Sequence, residues 1–151
     1  YMTNIDHINQ KILRILEHDG RISNSELAEK VGLSASACLR RVQELERIGV
    51  IKGYRAIIDP EAVGNGLTVY VAVGLSRHLK EDQNAFQRAM NAAHQVRECH
   101  NVAGTFEYIL RVEVPNLSAY KHFHSEVLGV VEQVVSITSY VVMDSPKDLR
   151  A

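Results

Sequence analysis

Apolar positions in the first third of the chain recur at helical spacing, and polar residues that start and stop helices punctuate them. Ile8, Ile12, Ile15 and Leu16 mark one face of a helix from about Asp6 to His18, which Asp19-Gly20 ends. Ser23 with Glu26 three positions on reads as a capping box, followed by an apolar stripe of Leu27, Ala28 and Val31. Gly32 stops that helix, since glycine accepts the left-handed backbone a C-terminus often needs. Ser34 follows almost at once as a second N-cap. The turn Gly32-Leu33-Ser34 is too short for anything but a steep crossing, as in a helix-turn-helix, with Leu33 plugging the angle.

On a wheel of about 100° per residue, the third helix turns Cys38, Leu39, Val42 and Leu45 inward. Its outer face carries Ser36, Ala37, Arg40, Glu44 and Arg47, with Arg41 at the flank. Small residues at the helix start permit close approach to a major groove. Ser34, Ser36 and Arg40 can bond phosphates or base edges, and Arg41 can reach a phosphate. A plain amphipathic helix with a solvated face is the bland alternative. The caps, the tight turn and the preceding helix together favour a trihelical DNA-binding unit. Residues 50–60 then read as one or two short strands, which would make the unit winged or give an arm to the next domain.

Pro60 to Gly66 is the natural linker. Beyond it the period changes. Leu67–Leu75 is rich in β-branched residues and reads as a strand buried on both faces. A helix follows over 81–93 with Phe86, Ala89, Met90 and Ala93 inward. Strands are expected over 96–103 and 108–114, joined by Gly104-Thr105-Phe106-Glu107, and Pro115-Asn116 ends the second. A helix over 118–128 places Tyr120, Phe123, His124 and Val127 inward, and 134–143 is the last strand. The order β-α-β-β-α-β folds into a four-stranded antiparallel sheet with both helices on one face, the ferredoxin-like arrangement. The expected class is therefore α+β, a winged helix-turn-helix domain over 2–59 and a ferredoxin-like domain over 67–151. The strands read as apolar on both faces, so the open face calls for a second copy, sheet to sheet.

Composition adds bounds. The chain has 151 residues, 46% hydrophobic with three prolines, which is a folded protein of one or two domains. No apolar run approaches the ~18 residues of a membrane span. The start shows no signal-peptide pattern, so a cytoplasmic protein is expected, and Tyr1 ahead of Met2 is set aside as an addition from expression. Cys38 and Cys99 fit buried free thiols in a reducing compartment. Net charge is −1, split as +1 over residues 1–59 and −2 over the rest. One copy would bind phosphate feebly, so DNA affinity needs several copies acting together.

Catalytic and metal constellations are missing. Cys99 and His100 are adjacent on a strand and point to opposite faces, and His122 and His124 diverge on a helix. There is no phosphate loop, no Ser-His-Asp spacing and no paired carboxylates. The histidines read as surface or packing residues, no cofactor is expected, and the chain does not read as an enzyme.

These residues resemble the Lrp/AsnC, or feast/famine, family of transcription regulators. The resemblance runs through Ile5-Asp6, Asp19-Gly20-Arg21, Leu27-Ala28 to Ser34, Arg41-Val42, Gly49 to Tyr54, Cys99-His100, Val102-Ala103-Gly104, Val114-Pro115 and Tyr140 to Met143. It implies a DNA-binding domain followed by a domain that regulates amino acid metabolism. It also implies homodimers that assemble into octamers or other multimers, bend or wrap double-stranded DNA, and bind an amino acid between dimers. Carried to this chain, the effector site is Gly104, Thr105, Phe106, Glu107 and Tyr108 with the facing strand Thr138, Ser139 and Tyr140. Relatives usually have aspartate where this chain has Glu107.

The physics of such a site is independent of the resemblance. A zwitterion needs N–H donors for its carboxylate, which Gly104 and Thr105 offer, and an acceptor for its ammonium, which Glu107 offers. Thr138 and Ser139 hydroxyls could serve either end, with Val73 or Val102 against the side chain. A simple hairpin turn is the alternative. The reading that results is a regulator responding to a small apolar amino acid such as leucine or methionine. A ligand-independent DNA-architectural protein of the same fold is the alternative. An enzyme on the ferredoxin-like domain would need chemistry the residues do not supply.

Overall fold

The computed structural model describes residues 5–150. The chain divides into two compact units, Tyr1–Ala56 and Ile57–Ala151; the first four residues, including the expected domain start at Met2, lie outside the described part.

The first unit holds three helices: α1 His7–His18, α2 Asn24–Val31 and α3 Ala35–Arg47. Each begins on a side chain that accepts a backbone N–H left unpaired at a helix start. Asp6 accepts from Asn9 at 2.8 Å, Ser23 from Glu26 at 3.2 Å and Ser34 from Ala37 at 3.2 Å. Gly32 ends α2 at φ 74°, a conformation that costs a residue with a Cβ about 1–2 kcal/mol. Leu33 N–H then returns to Ala28 O at 2.9 Å, which closes the turn between α2 and α3. Asn24 adds a brace across that turn, its Nδ2 donating to Ala35 O at 2.8 Å. Ile12, Leu27, Ala28, Val31, Cys38 and Leu45 form the core, with Leu33, Val42, Val50 and Ile51 packed on it.

Two expectations change here. Leu39 is 45% exposed rather than inward, because Cys38, Val42 and Leu45 already fill the inner stripe. Residues 50–58 carry no strand; the segment leaves α3 through Gly49 at φ 81° and runs on as an exposed arm, tied back by Ile51 N–H to Leu45 O at 3.1 Å. A strand there would need a partner for its ladder, and this chain offers none among the described residues.

The second unit orders β1 Leu67–Leu75, α4 Lys80–Ala92, β2 Val96–Asn101, β3 Tyr108–Val114, α5 Leu117–His122 and β4 Val134–Val141. The sheet order is β2-β3-β1-β4, antiparallel throughout. β1 lies at the centre and is buried along most of its length. Alternate residues Val69, Val71 and Val73 meet Leu110, Val112, Phe86, Met90, Phe123 and Leu128 beneath the helices. The helix expected over 118–128 changes form halfway: after α5 the chain makes a π-helical turn, Phe123–Leu128, closed by Gly129 N–H to His124 O at 2.8 Å.

The open face of the sheet is not uniformly apolar, contrary to the sequence reading. Over β2 and β3 it carries Glu98, Arg111 and Glu113, with Arg111 bonded to both carboxylates. Arg150 reaches the same Glu98, and donates to Tyr70 Oη at 3.3 Å. Burial alone would raise the Glu98 carboxyl; the bonds from Arg111, Arg150 and His100 outweigh it and hold it down at about 2. Over β1 and β4 the face is different, made of Tyr70, Ala72, Thr138 and Tyr140.

Candidate functional site

In the first unit, the outer face of α3 presents the residues expected to meet DNA, and the structure sorts them by how committed they are. Ser34 is engaged as the N-cap, and Ser36 Oγ lies 3.4 Å from its hydroxyl. Ala37 is half-buried and small. Arg40 is exposed and bonds to nothing in this chain among the described residues. Glu44 and Arg47 hold each other, Arg47 Nε donating at 2.8 Å, which lowers the Glu44 carboxyl through that bond. Arg41 differs most from its expected role. It donates to Asp6 Oδ2 at 2.7 Å and to Asn9 Oδ1 at 3.2 Å, so it joins α3 to α1 instead of standing free at the flank. A lone polar helix could not have revealed this, because Asp6 lies thirty-five residues away.

In the second unit, the turn before β3 lies at the end of the sheet where β1 leaves it. Glu107 N–H donates to Val73 O at 3.1 Å and its carbonyl accepts from Val102 N–H at 2.9 Å, which fixes the turn against the central strand. Tyr108 points the opposite way, into the core, as alternation along a strand requires. Its hydroxyl accepts from Gln87 Nε2 at 2.6 Å, so Tyr108 anchors β3 to α4 and offers nothing to a ligand. Glu107 therefore projects onto the open face.

The Glu107 carboxylate is already occupied by its own chain. Oε2 accepts from Leu75 N–H at 2.8 Å, and Oε1 stands 3.3 Å from His78 Nδ1. It does so above Gly74. A Cβ built there would stand 2.2 Å from Ser136 Oγ and 3.6 Å from Glu107 Oε2. Gly74, His78 and Ser136 were not anticipated. The available signal was Gly74 itself, since a glycine inside an apolar strand marks close approach of another group.

The remaining candidates divide. Gly104 and Thr105 are exposed at the tip of the turn and Phe106 is half-buried. Thr138 pairs with Ala72, one outward step along β4 from Ser136, so it shares the face with Glu107. Ser139 faces the helices instead and bonds the Tyr120 hydroxyl, whose acidity burial weakens despite that bond. Tyr140 lies opposite Tyr70, which on its other side pairs with Arg111. Val73 is fully buried on the helix side and does not face the Glu107 carboxylate, while Val102 is half-buried beside the turn.

Cys99 faces the core and His100 faces outward toward Glu98 at 3.2 Å, so the pair diverges. Among the described residues no group of three or more His, Cys, Asp or Glu side chains could hold a metal ion, and no helix is long and apolar enough to cross a membrane.

Comparison with known proteins matches both units. The family model described as Lrp/AsnC ligand binding domain matches residues 68–151, and that described as winged helix-turn-helix DNA-binding matches residues 5–52. The chain is 41% identical over 143 residues to the leucine-responsive regulatory protein of Escherichia coli K12, covering 95% of this chain and 87% of that one. Among solved structures it resembles a transcriptional regulator from Neisseria meningitidis in complex with L-Met, at TM-score 0.92 and 32% identity over 96% of this chain and 94% of that one. It also resembles the feast or famine regulatory protein of M. tuberculosis complexed with L-methionine, at TM-score 0.83 and 32% identity over 95% of each chain.

Proposed function

Because the chain belongs to the Lrp/AsnC family of transcription regulators, we propose that it is a sequence-specific regulator whose assembly responds to a small apolar amino acid. The observation that carries the DNA half is the outer face of α3, where Arg40 stands exposed and uncommitted next to small residues at the helix start. Those are the requirements for a helix that enters a major groove and reads base edges. Ser34, Ser36 and Ala37 sit at the groove-facing end, and Glu44 and Arg47 lie further along as a pair that bounds the contact.

The effector half rests on the Glu107 end of the sheet. Gly104 and Thr105 supply donors for a carboxylate, Glu107 an acceptor for an ammonium, and Ser136 and Thr138 the hydroxyls between. L-Methionine and L-leucine are the first candidates, from the ligands and names of the relatives. The near-neutral charge of one copy supports homodimers that assemble further, with an octamer as the expected form and the effector held between dimers. The site of action is the cytoplasm, where the chromosome lies.

Calorimetry with each amino acid, run beside light scattering and beside selection of genomic DNA fragments, tests this reading. Saturable heat with a change in assembly size supports the effector. A stable multimer that binds DNA and gives no heat with any amino acid supports the second reading, a ligand-independent architectural protein. The self-satisfied Glu107 carboxylate is the specific observation that favours that alternative.

A further inference from the structure

We propose that His78 sets the affinity and specificity of the Glu107 site, by occupying with its own imidazole the place a ligand's ammonium would take. This rests on the amino-acid-responsive reading above and adds a residue of this chain to it.

The argument starts from reach. Glutamate is one methylene longer than aspartate, and here that length carries the carboxylate back over Gly74 to the end of β1. Its two oxygens are then divided. Oε2 takes the Leu75 N–H at 2.8 Å, a backbone donor that cannot leave without breaking the strand end. Oε1 faces His78 Nδ1 at 3.3 Å, a side-chain nitrogen on the loop between β1 and α4. The two partners differ in mobility. The Glu107 side chain is 15% exposed, whereas that of His78 is 78% exposed. An imidazole so exposed can swing into solvent at little cost and leave Oε1 open.

A ligand ammonium and a protonated imidazole are the same kind of partner for a carboxylate, a cation that donates N–H. They therefore compete. The other charged groups around it do not compete for Oε1. Arg77 is committed to Asp82 in the first turn of α4 at 3.1 Å. Lys80 and Glu81 at the start of α4 are exposed. β4 presents Ser136, which does not titrate.

The test is calorimetry on the full chain with L-methionine and L-leucine. His78→Gln, which removes the imidazole, should bind roughly three-fold more tightly than the wild type, the size expected of an exposed ion pair. His78→Lys, which keeps a cation in reach of Oε1, should bind no more tightly than the wild type. The 2-hydroxy analogue of the ligand, which has no ammonium, should bind all three alike. Equal affinity of wild type and His78→Gln for the amino acids, or a gain in His78→Lys as large as that in His78→Gln, overturns the proposal. No heat from any amino acid, with wild type and with His78→Gln, overturns the effector reading itself.

Discussion

Arg41 donates to Asp6 Oδ2 at 2.7 Å, and by that bond the third helix grips the N-cap of the first. Asp6 is the hinge of the arrangement. One of its oxygens caps α1 through Asn9 N–H, and that bond, with Arg41 second, holds its carboxyl below the usual range. The two neighbouring arginines of α3 therefore have different jobs, although they are one position apart.

Replacing them one at a time should separate those jobs. Arg40→Ala should weaken specific DNA binding by roughly 1–3 kcal/mol and leave thermal unfolding unchanged. Arg41→Ala should lower the melting temperature of the protein, because α1 and α3 lose their link. Fluorescence anisotropy on a labelled operator, paired with a thermal scan of each variant, distinguishes them. Equal DNA loss from both variants at unchanged melting temperature would assign Arg41 to phosphate instead.

The cap of α3 is a second place where one atom matters. Ser34→Ala removes the acceptor for Ala37 N–H and should cost about 1 kcal/mol, whereas Ser34→Gly should cost only a few tenths. Urea unfolding of the two variants measures the difference. A loss of DNA affinity in Ser34→Gly at near-normal stability would add a direct contact from the hydroxyl.

The Glu98 cluster makes a pH prediction. Its carboxyl titrates at about 2 when folded, below its ordinary value of 4.5. A depressed carboxylate gives stability that is complete above the ordinary value and is lost as pH falls toward the folded one. Glu98→Gln should therefore be less stable at neutral pH by about 1–2 kcal/mol, since it leaves Arg111 partly unpaired. The gap should close between about pH 4.5 and about pH 2, which chemical denaturation across that range would record. A constant gap down to the acid limit would mean that the cluster stabilises by shape and not by charge.

Two glycines offer an opposed pair. At Gly129 a Cβ would stand 2.7 Å from His124 O and 3.2 Å from Ser125 O, both backbone atoms that cannot turn away. Gly129→Ala should cost about 1–3 kcal/mol. At Gly104 a Cβ would meet nothing within 4 Å, and the backbone there is not left-handed. Gly104→Ala should be neutral or slightly stabilising, by up to about 1 kcal/mol. Differential scanning calorimetry of both variants checks the contrast, and a loss of amino acid binding in Gly104→Ala would place the ligand against that Cα.

Much of this fold was legible because its signals are local. Ser23, Gly32 and Ser34 act within four residues of themselves, and they bound α2 and α3 where the residues predicted. Leu67–Leu75 starts after Gly66 and Tyr108–Val114 stops at Pro115, and both carry strand patterns. What escaped depends on partners far along the chain. The direction of Ser139 is set by the register of β4 on β1, and the role of Arg41 by a residue at the other end of the unit. The same holds for the open face, where the pairing of β2 against β3 brings Glu98 and Arg111 together on strands read as apolar. At the candidate site, Glu107 is proposed from the resemblance and its type, but its neighbours Leu75 and His78 lie at the end of β1 and on the loop after it, thirty or so residues away. Leu39 was misplaced for a simpler reason: a wheel assigns a face and does not say how wide the neighbour covering it will be.

The π-helical turn fixes how many residues the chain must count between its packing points. Phe123 and Leu128 are both fully buried, and they are five residues apart. In an α-helix that separation turns them about 140° from each other, so one would face solvent. Closing the turn on a fifth residue brings them to one side. Removing a single residue between them would leave them four apart, about 40° from each other on an ordinary α-helix, so both would still face the core. The π turn thus absorbs one extra residue, and this stretch should accept the loss of one residue more readily than the gain of one.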